Sequence, residues 1–289
     1  MRLFLLVSLT MCAFAANSIL ARVAIGGGYM DATGFGLLRL LSGAGMLLLL
    51  CWARAVPLRL PLRGSVWGGA ALTLYIAGFS IAYEALDAGL GALILFGVVQ
   101  ISMFLWGMLR GAPAGLAQIL GALLALLGLA YVLWPAGSSA VAPGAALMMA
   151  AAGLGWGIYS LLGRGAHEPL AATSVNFVVA SLMMLPVVWL AGGGTVWSLW
   201  GGGLAVISGA VTSGLGYALW YQVLPRLQPA VAATVQLSVP VIAILAGAAL
   251  LGEAIGLRLI FGTAAVLGGI SLVVLRAPQP GPRPSRRAG

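Results

Sequence analysis

Aromatic and polar side chains recur at helical spacing within apolar segments of this chain, and they are its candidates for binding a small molecule. Asn17 follows Phe14 by three residues, and a later segment carries Trp156 and Tyr159 in the same relation. Residues three or four apart share one face of a helix. Each face combines aromatic rings with a polar group, which suits contact with a substrate or, for Asn17, a hydrogen bond between helices.

Four other segments carry similar faces. Tyr75 and Phe79 are four residues apart, and the same spacing recurs around Tyr217. Such stripes are typical of helix packing, of an aromatic belt near helix ends, or of the wall of a binding site. We assign Tyr83, near the end of its segment, to a belt and the deeper rings to a wall. A proline such as Pro240 removes one helical hydrogen bond and frees a carbonyl where a helix lines a cavity. The predicted substrate-binding residues are Asn17, Tyr75, Phe79, Gln100, Trp156, Tyr159, Tyr217, Gln236, Ser238 and Pro240.

The sequence lacks the residue sets that catalysis or metal binding requires. Its one histidine, His167, lies in a polar gap, its cysteines Cys12 and Cys51 are far apart, and its five acidic residues lie in gaps or near segment ends. A nucleophile needs an adjacent base, and a metal site needs clustered ligands. We therefore expect no enzyme activity, no cofactor and no bound metal.

The elements that carry the candidate residues are ten long apolar segments. The 289 residues are 62% hydrophobic and 7% charged, whereas soluble globular chains carry about 25% charged residues. Spanning about 30 Å of hydrocarbon takes about 20 apolar residues. We predict an all-α membrane protein with ten transmembrane helices near residues 3–22, 33–53, 65–85, 89–109, 113–134, 144–163, 170–191, 201–222, 229–250 and 256–275.

The two halves of the chain repeat each other. Segment 13–22 matches segment 155–164 at a separation of 142 residues, and two glycine pairs match at a separation of 141, namely Gly121 with Gly262 and Gly128 with Gly269. Because each half holds five segments, an odd number, the second half must enter the membrane inverted. We predict two inverted five-helix repeats, residues 1–137 and 138–275, followed by a disordered cytoplasmic tail at 276–289.

The arginines indicate the orientation of the chain. All fourteen basic residues are arginine, and eleven of them lie on the side of the two termini, whereas Arg22 and Arg258 lie on the other. The positive-inside rule therefore places both termini in the cytoplasm, with the chain in a bacterial inner membrane. This topology accounts for the basic composition without a clustered basic face, and we expect no nucleic-acid binding.

One basic residue, Arg39, lies inside an apolar segment. It could pair with a substrate carboxylate, but an arginine there can also extend to lipid headgroups or bond to carbonyls of neighbouring helices, and we favour that structural role. The segments contain no central carboxylate for exchanging a proton with a cationic substrate and no pair of basic residues for a phosphorylated one. A neutral zwitterion with an apolar or aromatic side chain fits what remains.

The run from Pro240 to Glu253, followed by Gly262 and Gly268-Gly269-Ile270, resembles the drug/metabolite transporter superfamily of EamA type. The resemblance extends over about residues 1 to 275 and includes the arrangement of five plus five segments. Among its members the chain is most similar to the YddG-type exporters of aromatic and other neutral amino acids. The resemblance implies a central cavity formed mainly by helices 1, 3, 4, 6, 8 and 9, with helices 5 and 10 at the periphery.

These observations predict a carrier that exports neutral, aromatic amino acids by alternating access, as a uniporter or by facilitated transport. Two alternatives stay open: export of another small neutral metabolite or an apolar toxicant, and a membrane scaffold that transports nothing. The expected partners are the substrate and the lipid bilayer, and the expected state is a monomer or a weak homodimer.

Overall fold

The computed structural model describes residues 1–58, 62–111, 115–134, 141–163, 168–192, 196–223, 226–227 and 235–275. The predicted tail at 276–289 lies outside these ranges, as do Arg164 and His167. The described helices are α1 (Arg2–Gly26), α2 (Ala32–Ala53), α3 (Leu62–Ala82), α4 (Ala88–Leu109), α5 (Leu116–Leu133), α6 (Pro143–Gly163), α7 (Pro169–Leu190), α8 (Leu199–Val223), α9 (Ser238–Leu251) and α10 (Leu257–Leu275).

The prediction of an all-α membrane fold is confirmed. In the described ranges, nine helices are long and apolar enough to cross a membrane, and α9, with 14 residues, is shorter. The predicted start of the ninth segment, near residue 229, falls outside the described residues. Within α9, Pro240 occupies the first turn, where a missing N–H is tolerated, because the preceding helical turn ends at Leu237.

Polar residues mark the ends of the helices. Asp31 caps α2 by accepting a hydrogen bond from the Gly34 N–H, and Ser198 caps α8 by accepting one from the Gly201 N–H. Such caps satisfy amide groups that have no partner within the helix. The five acidic residues of the chain all lie in loops or at helix caps, namely Asp31, Glu84, Asp87, Glu168 and Glu253.

Helices from the two halves of the chain pack against each other. The pair α3 and α6 and the pair α5 and α10 form extensive contacts, α2 contacts α7 and α8, and α4 contacts α6 and α9. α1 contacts α8 and α9. α5 and α10 contact mainly each other, so they form a peripheral pair, as the family resemblance implies.

Glycines set the closest contact between α2 and α8. A Cβ atom on Gly209 would overlap the carbonyl oxygen of Arg39 and the hydroxyl of Ser42, and a Cβ on Gly43 would lie 3.1 Å from the Gly209 carbonyl oxygen. Small residues allow helix backbones to approach in a membrane, where van der Waals packing replaces the hydrophobic effect between helices. The two backbones are therefore in contact near the middle of both helices.

Two of the described helices contain π-helical turns. α1 becomes π-helical at Arg22–Gly26, and α8 is π-helical at Ile207–Leu215. In a π-helix the hydrogen bonds join residues five apart, and such segments are rare and frequently lie at functional sites. In α8 the π-helical segment includes Ser208, Thr212 and Ser213, which all face α1 and donate hydrogen bonds to the Asn17 side chain.

We expect Gly209→Ala to destabilise the protein by about 1 to 3 kcal/mol, because the added methyl group overlaps a backbone atom that cannot move aside. The measurement is the thermal unfolding of detergent-solubilised protein. Gly203→Ala is the matched control, since it lies on the same helix and a Cβ there meets nothing within 4 Å. Equal unfolding temperatures for the two variants would contradict the close approach of α2 and α8.

Candidate functional site

The centre of the bundle contains a narrow cavity of about 10 Å³. This volume holds about one water molecule, so the described conformation is closed around the centre. Five helices supply its walls, namely α1, α3, α4, α6 and α8, and the lining residues are Phe14, Asn17, Ser18, Tyr75, Phe79, Leu95, Phe96, Trp156 and Tyr217. We call this space the central cavity.

Trp156 contacts four other aromatic rings at the central cavity, and we call these five rings the aromatic wall. Its ring centroid lies 5.1 Å from those of Tyr75 and Tyr217, 5.6 Å from that of Tyr159 and 6.3 Å from that of Phe14. The five rings come from four helices. Tilted and edge-to-face pairs at these distances are mutually attractive, so the rings hold one another in place while they fill the cavity.

The position of Trp156 depends on the contact between α3 and α6. A Cβ on Gly155 would lie 2.7 Å from the backbone nitrogen of Tyr75, and one on Gly78 would lie 2.6 Å from the carbonyl oxygen of Met148. Only glycine allows the two backbones to approach this closely. The approach brings the neighbouring Trp156 ring onto the Tyr75 ring.

Asn17 is the polar group at the cavity wall. Its side-chain oxygen accepts hydrogen bonds from the hydroxyls of Ser208 at 2.8 Å, Thr212 at 2.6 Å and Ser213 at 3.3 Å. Its amide group donates to the Ala13 carbonyl at 3.4 Å within its own helix. Asn17 therefore joins α1 to α8 and lines the cavity at the same time, so the two roles that the sequence left open are compatible.

Arg39 lies behind the aromatic wall and is fully buried, with 0% exposure. Its Nε donates to the Ser213 hydroxyl and its Nη2 to the Tyr75 hydroxyl, both at 3.0 Å. Its guanidinium carbon lies 4.8 Å from the Phe79 ring centroid and 5.4 Å from that of Tyr75. The expected extension to headgroups or carbonyls is wrong, because the close approach of α8 supplies a hydroxyl partner in the interior instead.

Tyr83 also departs from expectation. The sequence places it in an interfacial belt, but it is fully buried, its ring centroid lies 4.8 Å from that of Phe79, and its hydroxyl donates to the Ala88 carbonyl at 3.2 Å. α3 ends at Ala82, and the following turn folds the tyrosine under the start of α4. The belt assignment for Tyr83 is therefore wrong.

The predicted binding residues fall into two groups. Asn17, Tyr75, Phe79, Trp156 and Tyr217 line the central cavity, and Tyr159 stacks on Trp156 from behind. The other four lie away from the cavity lining, although their predicted role stays a prediction. These four residues are Gln100, Gln236, Ser238 and Pro240.

Sequence reasoning missed the hydroxyl groups of Ser208 and Thr212. They are four residues apart on an otherwise apolar helix, which is the same signal that identified the aromatic stripes. The π-helical turn then places Ser213 on the same side, and this change of period is not visible in the sequence.

A second space, of about 490 Å³, lies at the end of the bundle that carries the α1–α2 loop. We call it the end cleft. Arg22, Asp87 and Glu253 all line it. Arg22 Nη2 lies 3.4 Å from an Asp87 carboxylate oxygen, and Arg22 Nε lies 3.8 Å from a Glu253 oxygen.

The Glu253 carboxylate binds the beginning of α4. It accepts hydrogen bonds from the backbone N–H groups of Ala88 at 2.8 Å and Gly89 at 3.4 Å, where the helix dipole favours an anion. Burial raises the pKa of Glu253 nonetheless, and the neighbouring Asp87 carboxylate adds to the rise, against the opposing effects of the two N–H groups and Arg22.

Comparison with known proteins gives consistent results. Residues 143–275 match the EamA-like transporter family. An uncharacterized protein of Pseudomonas aeruginosa is 51% identical over 97% of this chain and 96% of its own. An uncharacterized transporter of Archaeoglobus fulgidus is 31% identical over 55% of this chain and 57% of its own length. An uncharacterized transporter of Bacillus subtilis is 23% identical over 85% of this chain and 84% of its own length. One crystal structure aligns with a TM-score of 0.65 at 21% identity over 93% of this chain and 97% of its own, which shows likeness of fold.

In the part of the chain that the structure describes, nine apolar helices of spanning length, one shorter apolar helix and a buried cavity of aromatic and polar side chains define a multi-pass membrane protein. The second half of the chain, residues 143–275, belongs to the EamA-like transporter family, and the chain is a membrane transporter of small molecules. The expected membership of the drug/metabolite transporter superfamily is thus supported by the match over residues 143–275. The similarity to YddG-type exporters stays a prediction.

We expect Glu253→Gln to raise the unfolding temperature near neutral pH and to flatten its pH dependence. A raised pKa means that the folded protein binds this proton more tightly than the unfolded chain does. Stability from the protonated form is therefore lost as pH rises from the ordinary glutamate pKa of about 4.3 through the raised pKa. Glutamine keeps an oxygen for the Ala88 N–H without the charge. The measurement is thermal unfolding in detergent from about pH 4 to about pH 8.

Two further variants control this experiment. Glu168→Gln removes a charge from an exposed cap and should leave the pH profile unchanged. Glu253→Ala removes the acceptor as well as the charge and should lower the unfolding temperature throughout. A glutamine variant with the wild-type pH profile would show that burial of the Glu253 carboxylate has no effect on stability.

Proposed function

We propose that this transporter exports neutral, aromatic amino acids across a bacterial inner membrane by alternating access, without a coupled ion. The observation that carries the proposal is the central cavity, where the ring of Trp156 and its aromatic neighbours lie beside Asn17 and the hydroxyl groups that bind it. A phenyl or indole side chain gains about 0.5 to 1.5 kcal/mol from each favourable ring contact beyond the burial of its area. Hydroxyl and amide groups beside the rings suit the polar end of an amino acid.

The closed state of the cavity supports a conformational cycle. A space of about 10 Å³ holds no amino acid, so the rings must separate before a substrate binds. The end cleft lies close by along α1, because Ser18 lines the cavity and Arg22, one helical turn later, lines the cleft. Tyr83, in the turn after α3, contacts Phe79 of the cavity lining and Ala88, the neighbour of the cleft residue Asp87, so it lies between the two spaces.

The contact between α5 and α10 supports the proposed repeats at 1–137 and 138–275. A Cβ on Gly121 would lie 2.5 Å from the Gly269 carbonyl oxygen, and one on Gly262 would lie 3.4 Å from that of Gly128. Gly121 corresponds to Gly262 in the other repeat, and Gly269 corresponds to Gly128, so the two contacts are equivalent. A two-fold axis between the repeats requires this equivalence. Two halves related in this way provide two mirror-related states for alternating access.

We also propose that both termini lie in the cytoplasm. The positive-inside rule supports this orientation, and so does the environment of the two arginines at the opposite end. Arg22 lies beside Asp87 and Glu253, and Arg258 donates to the backbone carbonyls of Tyr131 and Trp134. Each of these charges has a local partner at that end.

The central test is efflux of labelled amino acids from sealed liposomes that contain the purified protein. We expect release of phenylalanine and tryptophan, and we expect Trp156→Ala to slow it about tenfold, since the loss of ring contacts worth about 1.5 kcal/mol changes a rate or affinity by that factor. Trp189→Ala is the matched control, because this tryptophan on α7 is 77% exposed on the outer surface of the bundle.

The outcomes separate the parts of the proposal. Equal efflux for the wild type and Trp156→Ala would contradict the central cavity as the binding site. If folded, inserted protein released no amino acid, the substrate class would be wrong, and the search would move to other neutral metabolites and apolar toxicants.

A further inference from the structure

Arg39 is a buried cation without an anionic partner in the described structure. Its Nε and Nη2 donate to the neutral hydroxyls of Ser213 and Tyr75, and its Nη1 has no hydrogen-bond partner among the described residues. A guanidinium keeps its proton in proteins, so its charge persists in the interior. A buried charge is costly unless it is paired and hydrogen-bonded.

The side chains of this protein offer no carboxylate for that role. All five acidic residues lie in loops or at helix caps, whereas Arg39 lies inside α2. Asp31, the nearest of them along the chain, binds Thr33 and Gly34 at the beginning of α2. Asp87 and Glu253 are held at the end cleft. The two aromatic faces beside the guanidinium compensate part of the cost, but they leave the Nη1 donors unused.

We propose that Arg39 binds the carboxylate of the transported substrate, so that a free carboxylate is required for recognition. This inference rests on the proposed function, which it narrows to amino acids and related monocarboxylates. Tyr75 and Phe79 stand between the guanidinium and the central cavity, since both rings contact Arg39 and both line the cavity. Movement of these two rings enlarges the cavity and exposes the guanidinium together.

The single charge selects the kind of anion. One guanidinium with one free terminal nitrogen matches one carboxylate, whereas phosphates in proteins are held by several basic or backbone donors. The carboxylate end of the substrate then lies towards α2 and α3, and its apolar side chain lies towards Trp156 and Tyr217. The hydroxyl of Tyr217 also lacks a hydrogen-bond partner among the described residues, and its ring lies 5.1 Å from that of Trp156.

Four probes of similar shape test the requirement by equilibrium binding to the detergent-solubilised wild-type protein. L-Phenylalanine and 3-phenylpropionate carry a carboxylate, whereas L-phenylalaninamide and 2-phenylethylamine do not. We expect the two carboxylates to bind at least about tenfold more tightly than the two probes that lack one, since a hydrogen bond to a charged group contributes that much to affinity. Equal binding of the amine and the carboxylates would overturn the inference without any variant.

Two variants of Arg39 and one matched control connect the preference to this residue. Arg39→Gln should weaken phenylalanine binding about tenfold and bring the affinities of phenylalanine and its amide within about twofold of each other. Arg39→Lys keeps the charge and should restore part of the preference. Arg110→Gln, at the end of α4 where the side chain lies over the Trp106 ring, should leave all four affinities unchanged.

Failure of this inference is distinguishable from failure of the proposed function. Transport of phenylalanine with no preference for carboxylate probes would overturn the role of Arg39 and leave the function intact. Binding of 3-phenylpropionate that depends on Arg39, without transport of any amino acid, would overturn the proposed function and leave the role of Arg39 intact. Absence of binding by both carboxylate probes to folded protein would overturn the inference.

Discussion

The backbone contact between α2 and α8 is the constraint on which the interior of this transporter depends. Because Gly209 has no side chain, α8 reaches the carbonyl of Arg39, and Ser213, one turn later, receives the Arg39 Nε–H. The same serine donates to Asn17 on α1. The first two helices and α8, which is far from them in sequence, are thereby joined through one hydroxyl. A polar network that crosses helices in this way is costly to break, because each freed group would remain in an apolar interior.

The aromatic wall depends in turn on that network. Tyr75 accepts a hydrogen bond from Arg39 through its hydroxyl and contacts Trp156 through its ring, so it links the polar and aromatic parts of the centre. Movement of Tyr75 therefore changes the cavity and the environment of the arginine together. Since packed interiors have discrete arrangements rather than continuous ones, this coupling favours a switch between separate closed and open states of the centre.

Much of the fold could be predicted from the sequence, because a bilayer requires long apolar helices and the chain marks their ends with arginine, proline and acidic residues. The second helix was expected at 33–53 and is found at Ala32–Ala53. The shared position of Tyr75 and Phe79 at the cavity followed from the helical period alone. The surroundings of Arg39 did not, because its partner Ser213 is 174 residues away and lies in a π-helical segment that changes which residues share a face. The predicted position of Tyr83 in an interfacial belt was wrong, because the turn after α3 buries this side chain regardless of the length of the helix.

The distribution of charge has a consequence for energy coupling. Every acidic residue lies in a loop or at a helix cap, and Arg39 is buried inside α2, so among the described residues the interior carries a positive charge and no carboxylate. A cationic substrate would be repelled there. A zwitterion bound through its carboxylate crosses with no net charge, and the membrane potential, worth about 2.3 kcal/mol per charge per 100 mV, does not act on it. An anion lacking the ammonium group would instead be driven outward by an inside-negative potential. Under the proposed function, the ammonium group of the substrate therefore decides whether export follows the concentration gradient alone or also the voltage.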